Sequence, residues 1–282
     1  EKLKKEWREL GSPTVIFACP NCRKQFEQYL PDIPGVFLSE VMEEWGIERQ
    51  SPESEAEFSD TYAVFDPCSS RDFPELQQSV RRLADSLGIC RESLPYEGEK
   101  ARCCGYGGHI GIAAPAYTKR VAYERSAESS LPYLTYCVNC WESFAGQEKD
   151  AVHFLDIIFG INGNKRHLST VTERRQRRME AKRWLLENCW HETVEEEVHM
   201  NLLVEKELER KLSESQILVS DMEQVIEHCE KENCGSLDPE TGHVTGHLKI
   251  QNITYWAEYE KISDDSFRLW NGYSHRMNLE GE

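Results

Sequence analysis

Three short runs of β-branched, aromatic and aliphatic residues in the first half of the chain end directly in cysteine. Their length and composition predict buried strands. Each strand is therefore predicted to present cysteine at its C-terminal end. The runs and the cysteines that follow them are TVIFA (14–18) before Cys19 and Cys22, TYAVFD (61–66) before Cys68, and LPYLTY (131–136) before Cys137 and Cys140.

Amphipathic stretches separate these strands. Residues 73–88 and 114–130 have apolar positions at helical spacing, and the first stretch ends on Gly88, a residue type common at helix ends. Strands that alternate with helices predict an α/β fold in which a parallel sheet is covered on both faces. Ligands of such sheets bind beyond the carboxyl ends of the strands, where the cysteines are predicted to lie.

The pattern changes after a polar break at residues 162–164. Thr170 and Glu173 have capping-box spacing at the start of a long basic helix. We therefore predict a cysteine-rich domain over residues 1–165 and a basic helical linker over residues 166–212. The basic run is predicted to be a solvated helix face, with docking of an acidic redox partner as the alternative.

The last part of the chain has a different pattern. A helical stretch at residues 215–233 is followed by three strand-like runs, which are joined at residues 251–252 and 263–265. Alternating apolar and polar positions in the second run are typical of a half-buried strand. Residues 213–282 are therefore predicted to form a small α+β module, a helix plus a three-stranded antiparallel meander.

The net charge of the chain indicates which classes of binding partner are disfavoured. The 282 residues carry a formal net charge of -17, from 33 Lys and Arg against 50 Asp and Glu. This balance disfavours nucleic acid or an anionic membrane as the main partner, because the mean field repels phosphate. No run approaches the length of a membrane span, and the charged N-terminus does not resemble a signal peptide, so we predict a cytoplasmic protein.

Cysteine is the residue type that indicates chemistry. The chain has 11 cysteines, an odd number, and it is too long and too acidic for a secreted disulfide scaffold. Metal binding or redox chemistry is therefore the better prediction. The thiols of Cys68, Cys103, Cys104, Cys137 and Cys140 come from three separate segments, which the predicted parallel strands would bring together.

Five thiolates discriminate between metals. Soft sulfur ligands select zinc, copper(I) or iron–sulfur clusters, and four of them already satisfy tetrahedral zinc. The adjacent pair Cys103 and Cys104 favours binding to different metal atoms, and hence a multi-iron cluster. Gly105, Gly107 and Gly108 would let the backbone approach the cluster closely and donate N–H groups to it.

These segments resemble the cysteine-rich CCG domain of the catalytic B subunit of heterodisulfide reductases and of the iron–sulfur subunit of glycolate oxidases. The matching segments are Asp66-Pro67-Cys68, Cys103-Cys104-Gly105-Tyr106-Gly107-Gly108 and Cys137-Val138-Asn139-Cys140. The resemblance implies that the five cysteines hold a noncubane [4Fe-4S] cluster. Family members carry two such motifs in tandem.

The resemblance is incomplete at the front of the chain. Cys19 and Cys22 resemble the closing CxxC of a first motif whose lone cysteine and cysteine pair are absent here. Either the chain is the C-terminal part of a larger polypeptide or the first site has degenerated, and we expect the former. Alternatives for this pair are a zinc half-site or a redox CxxC.

The remainder resembles the C-terminal region of large pyridine nucleotide-disulfide oxidoreductases with dicluster binding. The segments that carry this resemblance are VHFLDIIFG, the ERRQRR helix, TYWAEY and YSHRM. It implies a flavoprotein or ferredoxin-type partner module with FAD and NAD(P)H, in the same polypeptide or another subunit.

Several other residues have weaker patterns. Cys229, Cys234, His243 and His247 suggest a zinc finger, but their central spacing is short, and ordinary packing is favoured. His109 is predicted either to donate to a cluster sulfur or substrate or to be an exposed loop residue. We predict that Cys90 and Cys189 are not ligands.

The sequence therefore predicts an iron–sulfur electron-transfer module, an oxidoreductase component similar to heterodisulfide reductase. Its cluster would pass electrons between a flavin or ferredoxin module and a disulfide or other acceptor. The alternatives are a non-catalytic zinc-binding scaffold that docks redox partners and a CxxC thiol–disulfide exchange enzyme.

Overall fold

The computed structural model describes residues 1–48, 58–107, 110–161, 168–193, 200–263 and 265–276. The chain divides into two compact units, residues Glu1–Leu168 and Ser169–Glu282. None of the described helices has both the length and the apolar composition needed to cross a lipid bilayer.

The first unit alternates helices and strands. Its described elements in chain order are α1 (Lys2–Glu9), β1 (Val15–Phe17), α2 (Pro20–Tyr29), β2 (Gly35–Phe37), α3 (Leu38–Trp45), β3 (Thr61–Phe65), α4 (Pro74–Ser86), β4 (Cys90–Glu92), α5 (Ile110–Ala113), α6 (Pro115–Ser126), β5 (Tyr133–Thr135), α7 (Val138–Ala145), β6 (Ala151–His153) and α8 (Phe154–Ile158). Short 3-10 turns cover Cys68–Ser70 and Gly98–Lys100.

A four-stranded parallel sheet with the order β4-β3-β5-β6 is the centre of this unit. The middle strands are buried along almost their whole length, as expected for a sheet covered on both faces. Cys68 and Cys137 follow these two neighbouring strands at the same edge of the sheet. The predicted α/β class and parallel sheet are confirmed.

The first cysteine-bearing strand does not join that sheet. β1 pairs in parallel with β2 in a separate two-stranded sheet. In this smaller sheet only one face of β1 is covered, since Phe17 is buried whereas Ile16 is 51% exposed. A strand with a solvated face does not fit the doubly covered centre of a parallel sheet.

The segment β1-α2-β2-α3 nevertheless has the same construction as β5-α7-β6-α8. In both, the first cysteine of a CxxC is the N-cap of a helix, with φ -132° and ψ 123° at Cys19 and φ -135° and ψ 117° at Cys137. Both then continue to a parallel partner strand and a second helix. A glycine with φ 67° at Gly46 and φ 66° at Gly160 follows that helix. The sequence indicated that the CxxC of this segment resembles the closing CxxC of a repeated motif, but it did not indicate the shared order of strands and helices.

A buried carboxylate joins the segments that carry the cysteines. Asp66, only 1% exposed, accepts two hydrogen bonds from Arg81 at 3.0 and 2.8 Å. It also accepts one from the hydroxyl of Tyr136 at 2.7 Å and one from the backbone N–H of Gly98 at 2.7 Å. Burial raises the pKa of Tyr136 well above its ordinary value, and the charge of Asp66 adds to this, so Tyr136 is a neutral donor.

The second unit contains a mixed sheet with helices on one face. Its elements are α9 (Val171–Asn188), β7 (Asn201–Val204), α10 (Lys206–Glu214), α11 (Val219–Glu232), β8 (Ser236–Leu237), β9 (Val244–Ile250), β10 (Ile253–Ser263) and β11 (Ser266–His275). The strand order is β7-β11-β10-β9-β8.

This sheet is larger than the predicted meander. The antiparallel strands β9, β10 and β11 are those of the prediction, but β8 adds to one edge and β7 pairs in parallel with β11 at the other. Residues Leu212, Met222 and Ile226 are buried against the sheet. Residues predicted as the end of the linker, including β7 and Leu212, therefore contribute to the structure of the second unit.

The basic helix α9 begins as predicted. Thr170 accepts a hydrogen bond from the backbone N–H of Glu173 at 3.1 Å, and the Glu173 carboxylate accepts one from the N–H of Thr170 at 2.8 Å. None of its residues is buried. Its start is tied to the rest of the second unit, since Thr172 accepts a hydrogen bond from the N–H of Val219 at 3.0 Å.

We predict that Asp66→Asn destabilises the first unit by about 3 kcal/mol, because it removes the buried carboxylate of the pair and leaves the largely buried Arg81 only the longer contact with the more exposed Glu97 at 3.3 Å. Urea denaturation of the full chain measures the loss, and hydrogen exchange of β3 and β5 assigns it to this unit. The control is Asp85→Asn, whose exposed ion pair with Arg91 contributes about 0.5 kcal/mol or less. Equal effects of the two substitutions would contradict the prediction.

We also predict that residues 169–282 unfold cooperatively when expressed alone, whereas residues 213–282 are much less stable. The shorter segment lacks β7 and the fully buried Leu212, and burial of one such side chain contributes roughly 2 kcal/mol. Thermal unfolding followed by circular dichroism compares the two segments. Equal melting temperatures would place the boundary of the unit after residue 212 instead.

Candidate metal centre

The five cysteines lie in loops and helix starts beyond the strand ends. Cys68 begins the 3-10 turn after β3, and Cys137 is the N-cap of α7 with Cys140 in its first turn. Cys103 and Cys104 lie in the loop that follows the Gly98–Lys100 turn. Three separate segments therefore meet at one edge of the sheet, as predicted.

The sulfurs form a row in the order Cys68, Cys103, Cys104, Cys140, Cys137, which we call the sulfur row. Each thiol in it perturbs the pKa of the next. Two of its members are shielded from solvent, since Cys104 is 3% and Cys140 4% exposed, whereas the other three members are half-buried. The sulfur row therefore has a closed side and an accessible side.

Two members of the sulfur row are stabilised as thiolates. The pKa of Cys103 is lowered by its interactions with the Cys104 and Cys68 thiols and by the backbone N–H groups of Gly105 and Gly107. The N–H of Gly105 lies 3.3 Å from its sulfur. The pKa of Cys137 is lowered to about 6 by Cys140 and by backbone N–H groups at the start of α7. The thiolate is the form that binds metal.

The remaining members keep their protons. The Cys103 sulfur raises the pKa of Cys104 to about 12 and also raises that of Cys68. The pKa of Cys140 is raised well above its ordinary value by Cys104 and Cys137 and by burial. Five neighbouring thiolates would repel each other, so a cationic centre is needed to stabilise the fully deprotonated set.

Glycine shapes the loop beside the cysteine pair. Gly105 has φ +99°, and a Cβ there would lie 3.0 Å from the backbone oxygen of Thr118. A side chain is therefore excluded by both conformation and space. The hydroxyl of Ser143 on α7 donates to the carbonyl of Cys104 at 2.8 Å and joins this loop to the CxxC helix. Gly108 and His109, also predicted to be at the site, lie outside the described residues.

No pattern in the sequence indicated a role for Asp66, Tyr136 or Ser143. Asp66 belongs to the motif segment that contains Cys68 and ends an otherwise apolar strand, but neither feature identifies its hydrogen-bond partners. Ser143 lies three residues after Cys140, which places both on one face of α7. Their hydrogen bonds join residues far apart in sequence and have no local pattern.

The donor set fits a sulfur-ligated metal centre. All five donors are sulfur, which iron–sulfur clusters and zinc select. No group of three or more His, Cys, Asp or Glu side chains within the described ranges is arranged around a point that would hold one metal ion.

Cys19 and Cys22 form a separate pair in the structural repeat. The pKa of Cys22 is raised by partial desolvation and by the neighbouring Cys19 thiol. Cys22 is exposed, in contrast to the buried Cys140 at the same position of the repeat. Cys90 and Cys189 are both exposed and lie at the start of β4 and at the end of α9.

The four residues with zinc-finger-like spacing do not converge on one point, although the thiols of Cys229 and Cys234 lie next to each other. Cys229 is buried on α11, where its sulfur packs against Gly246 of β9. His247 is the next residue of that strand and stacks on Trp256, with ring centroids 4.5 Å apart. Successive residues of a strand point to opposite faces, so the cysteine and this histidine lie on opposite sides of the sheet.

Comparison with known proteins identifies one domain. A family model described as "CCG: Cysteine-rich domain" matches residues 62–140, from the second residue of β3 to the second cysteine of the CxxC in α7. The matched range includes the whole sulfur row and neither Cys19 nor Cys22. Neither the curated proteins nor the solved structures gave a match. The chain therefore contains a CCG cysteine-rich domain at residues 62–140.

Proposed function

We propose that this chain is an iron–sulfur electron-transfer module of an oxidoreductase similar to heterodisulfide reductase. Cys68, Cys103, Cys104, Cys137 and Cys140 are the ligands of a noncubane [4Fe-4S] cluster. The observation that carries the proposal is the sulfur row, five thiols from three segments placed next to one another. The CCG domain match over the same residues supports it.

The chain's own residues would prepare this site in three ways. Asp66 holds the segments that carry Cys68, Cys103 and Cys137 against one another through four hydrogen bonds. Backbone N–H groups stabilise two thiolates before metal arrives. Burial of Cys104 and Cys140 excludes water from one side. The cluster, when bound, supplies one-electron chemistry and an iron that a substrate thiolate can reach.

The accessible side of the sulfur row is where an acceptor would approach. Cys68, Cys103 and Cys137 are each half-buried. We propose that electrons arrive from a flavoprotein module that carries FAD and uses NAD(P)H, or from a ferredoxin-type module. They leave to a disulfide or another acceptor. A reducing cytoplasmic setting would keep these cysteines free.

Cys19 and Cys22 are proposed to be ligands of a second centre that this chain does not complete. The support is the structural repeat, in which Cys19 has the backbone conformation of Cys137. Two thiols alone do not complete a cluster, so the missing ligands would come from another subunit or from a further part of the polypeptide.

We predict that Cys104→Ser lowers the iron content from about four atoms per chain to less than half of that in anaerobically purified protein. The matched control is Cys90→Ser, an exposed cysteine of the same unit, which should leave iron and visible absorption unchanged. Equal iron in both variants would exclude Cys104 as a ligand. Colourless protein with stoichiometric zinc would support the zinc scaffold instead.

We predict that the double variant Cys19→Ser, Cys22→Ser keeps the full iron content, because its thiols lie outside the sulfur row. Iron analysis and the visible spectrum check this. A loss as large as that of Cys104→Ser would mean that the CxxC of α2 contributes to the same centre.

An assay of disulfide reduction distinguishes the proposed cluster mechanism from simple thiol–disulfide exchange. An exchange enzyme that uses a CxxC would still reduce insulin disulfides after replacement of both Cys103 and Cys104. The proposed function predicts that this replacement abolishes the activity.

A further inference from the structure

An open cavity lies against the accessible side of the sulfur row. Its volume is about 520 Å³, and Cys103 forms part of its wall together with Arg71, Lys100, Arg102 and Tyr117. This size is in the range of small-molecule binding sites. The apolar cavity between α3, α4 and β1, about 30 Å³, holds no more than a water molecule or two.

The charge of this cavity is opposite to that of the protein. Its wall contains the cations Arg71, Lys100, Arg102 and Arg125 and the carboxylates Glu99 and Glu124, whereas the whole chain has a net charge of -17. An excess of cations in so acidic a protein concentrates positive potential at one place. Low-dielectric walls focus such a potential on small anions that enter the cavity.

Two of these cations are available for a ligand. Arg125 is paired with Glu128 at 2.9 Å, and the guanidinium of Arg102 lies over the ring of Tyr96 at 3.4 Å from its centroid. In contrast, neither Arg71 nor Lys100 makes an ion pair within 4 Å in the described part of the chain, and Arg71 acts only at longer range on Asp72 and Cys68. Both side chains are exposed to the cavity and to solvent.

The cavity also offers apolar surface. The ring of Tyr117, which is 50% exposed, and the side chain of Val121 also line it. A ligand could therefore place an anionic group on Arg71 and Lys100 and keep an apolar part near Cys103. This combination of a few charged groups with apolar walls is typical of binding sites for small molecules.

We propose that this cavity binds a small molecule with an anionic group, a carboxylate, sulfonate or phosphate, which Arg71 and Lys100 hold beside Cys103. The cavity selects for negative charge. That the bound molecule is the electron acceptor rests on the proposed function. Arg102, already fixed by Tyr96, is a positioning residue at the same wall. Neutral molecules of the same shape bind weakly.

The test uses the full chain, purified anaerobically, and two probes of nearly equal size. Isothermal titration calorimetry at low salt measures the binding of 3-mercaptopropionate and of the neutral 3-mercaptopropanol. The carboxylate probe should bind at least tenfold more tightly, since a charge-assisted hydrogen bond contributes about tenfold in affinity. Added salt should reduce this preference.

Variants locate the site. Arg71→Gln and Lys100→Gln should each weaken 3-mercaptopropionate binding about tenfold and leave 3-mercaptopropanol unchanged. The control Arg91→Gln removes an exposed cation on β4, which pairs with Asp85 and does not line the cavity, and should bind both probes like the original chain. Equal affinity for the two probes, or unchanged carboxylate binding in both cavity variants, would overturn the proposal.

Iron content of the same samples separates this inference from the proposed function. If the chain holds no iron but the carboxylate preference depends on Arg71 and Lys100, the cavity proposal stands and the cluster proposal fails. If iron is present and the two probes bind alike, the cluster proposal stands and the cavity proposal fails.

Discussion

The buried carboxylate of Asp66 is the interaction on which the geometry of the site depends. An uncompensated carboxylate in this position would be strongly unfavourable, so each of its oxygens has two donors. Those donors belong to α4, to the turn before the cysteine pair and to the end of β5. Since Asp66 itself lies two residues before Cys68, satisfying one charge brings together all segments that bear the five thiols.

Asp66 also explains why the fold can tolerate thiols so close together. Full ionisation of the sulfur row is unfavourable, and the raised pKa values of Cys104 and Cys140 reflect that cost. Asp66 offsets this cost, because its four hydrogen bonds hold the segments together through contacts other than those between the thiols. Backbone N–H groups from Gly105 and from the start of α7 then reduce the cost for the two sulfurs that ionise most readily.

Much of this could be predicted from local pattern. Apolar runs that end in cysteine identified β3 and β5, and capping-box spacing identified the start of α9 at Thr170. The pairings of β1 and β7 could not be predicted, since an edge strand of three or four residues has too few positions to specify its partner. β7 pairs with β11, more than sixty residues later in the chain. The role of Asp66 was missed for a related reason, because its partners are distant in sequence.

The structural repeat shows what distinguishes a complete site from an isolated CxxC. The segments that contain Cys19 and Cys137 share a strand, an N-cap conformation, a helix and a parallel partner strand. Only the second lies beside β3, where Asp66 fixes the lone cysteine and the cysteine pair. The CxxC element alone therefore supplies two sulfurs and a helix start. The turn that begins at Cys68 and the loop that contains Cys103 and Cys104 supply the other three sulfurs, and basic residues of both segments line the cavity in which a ligand would meet them.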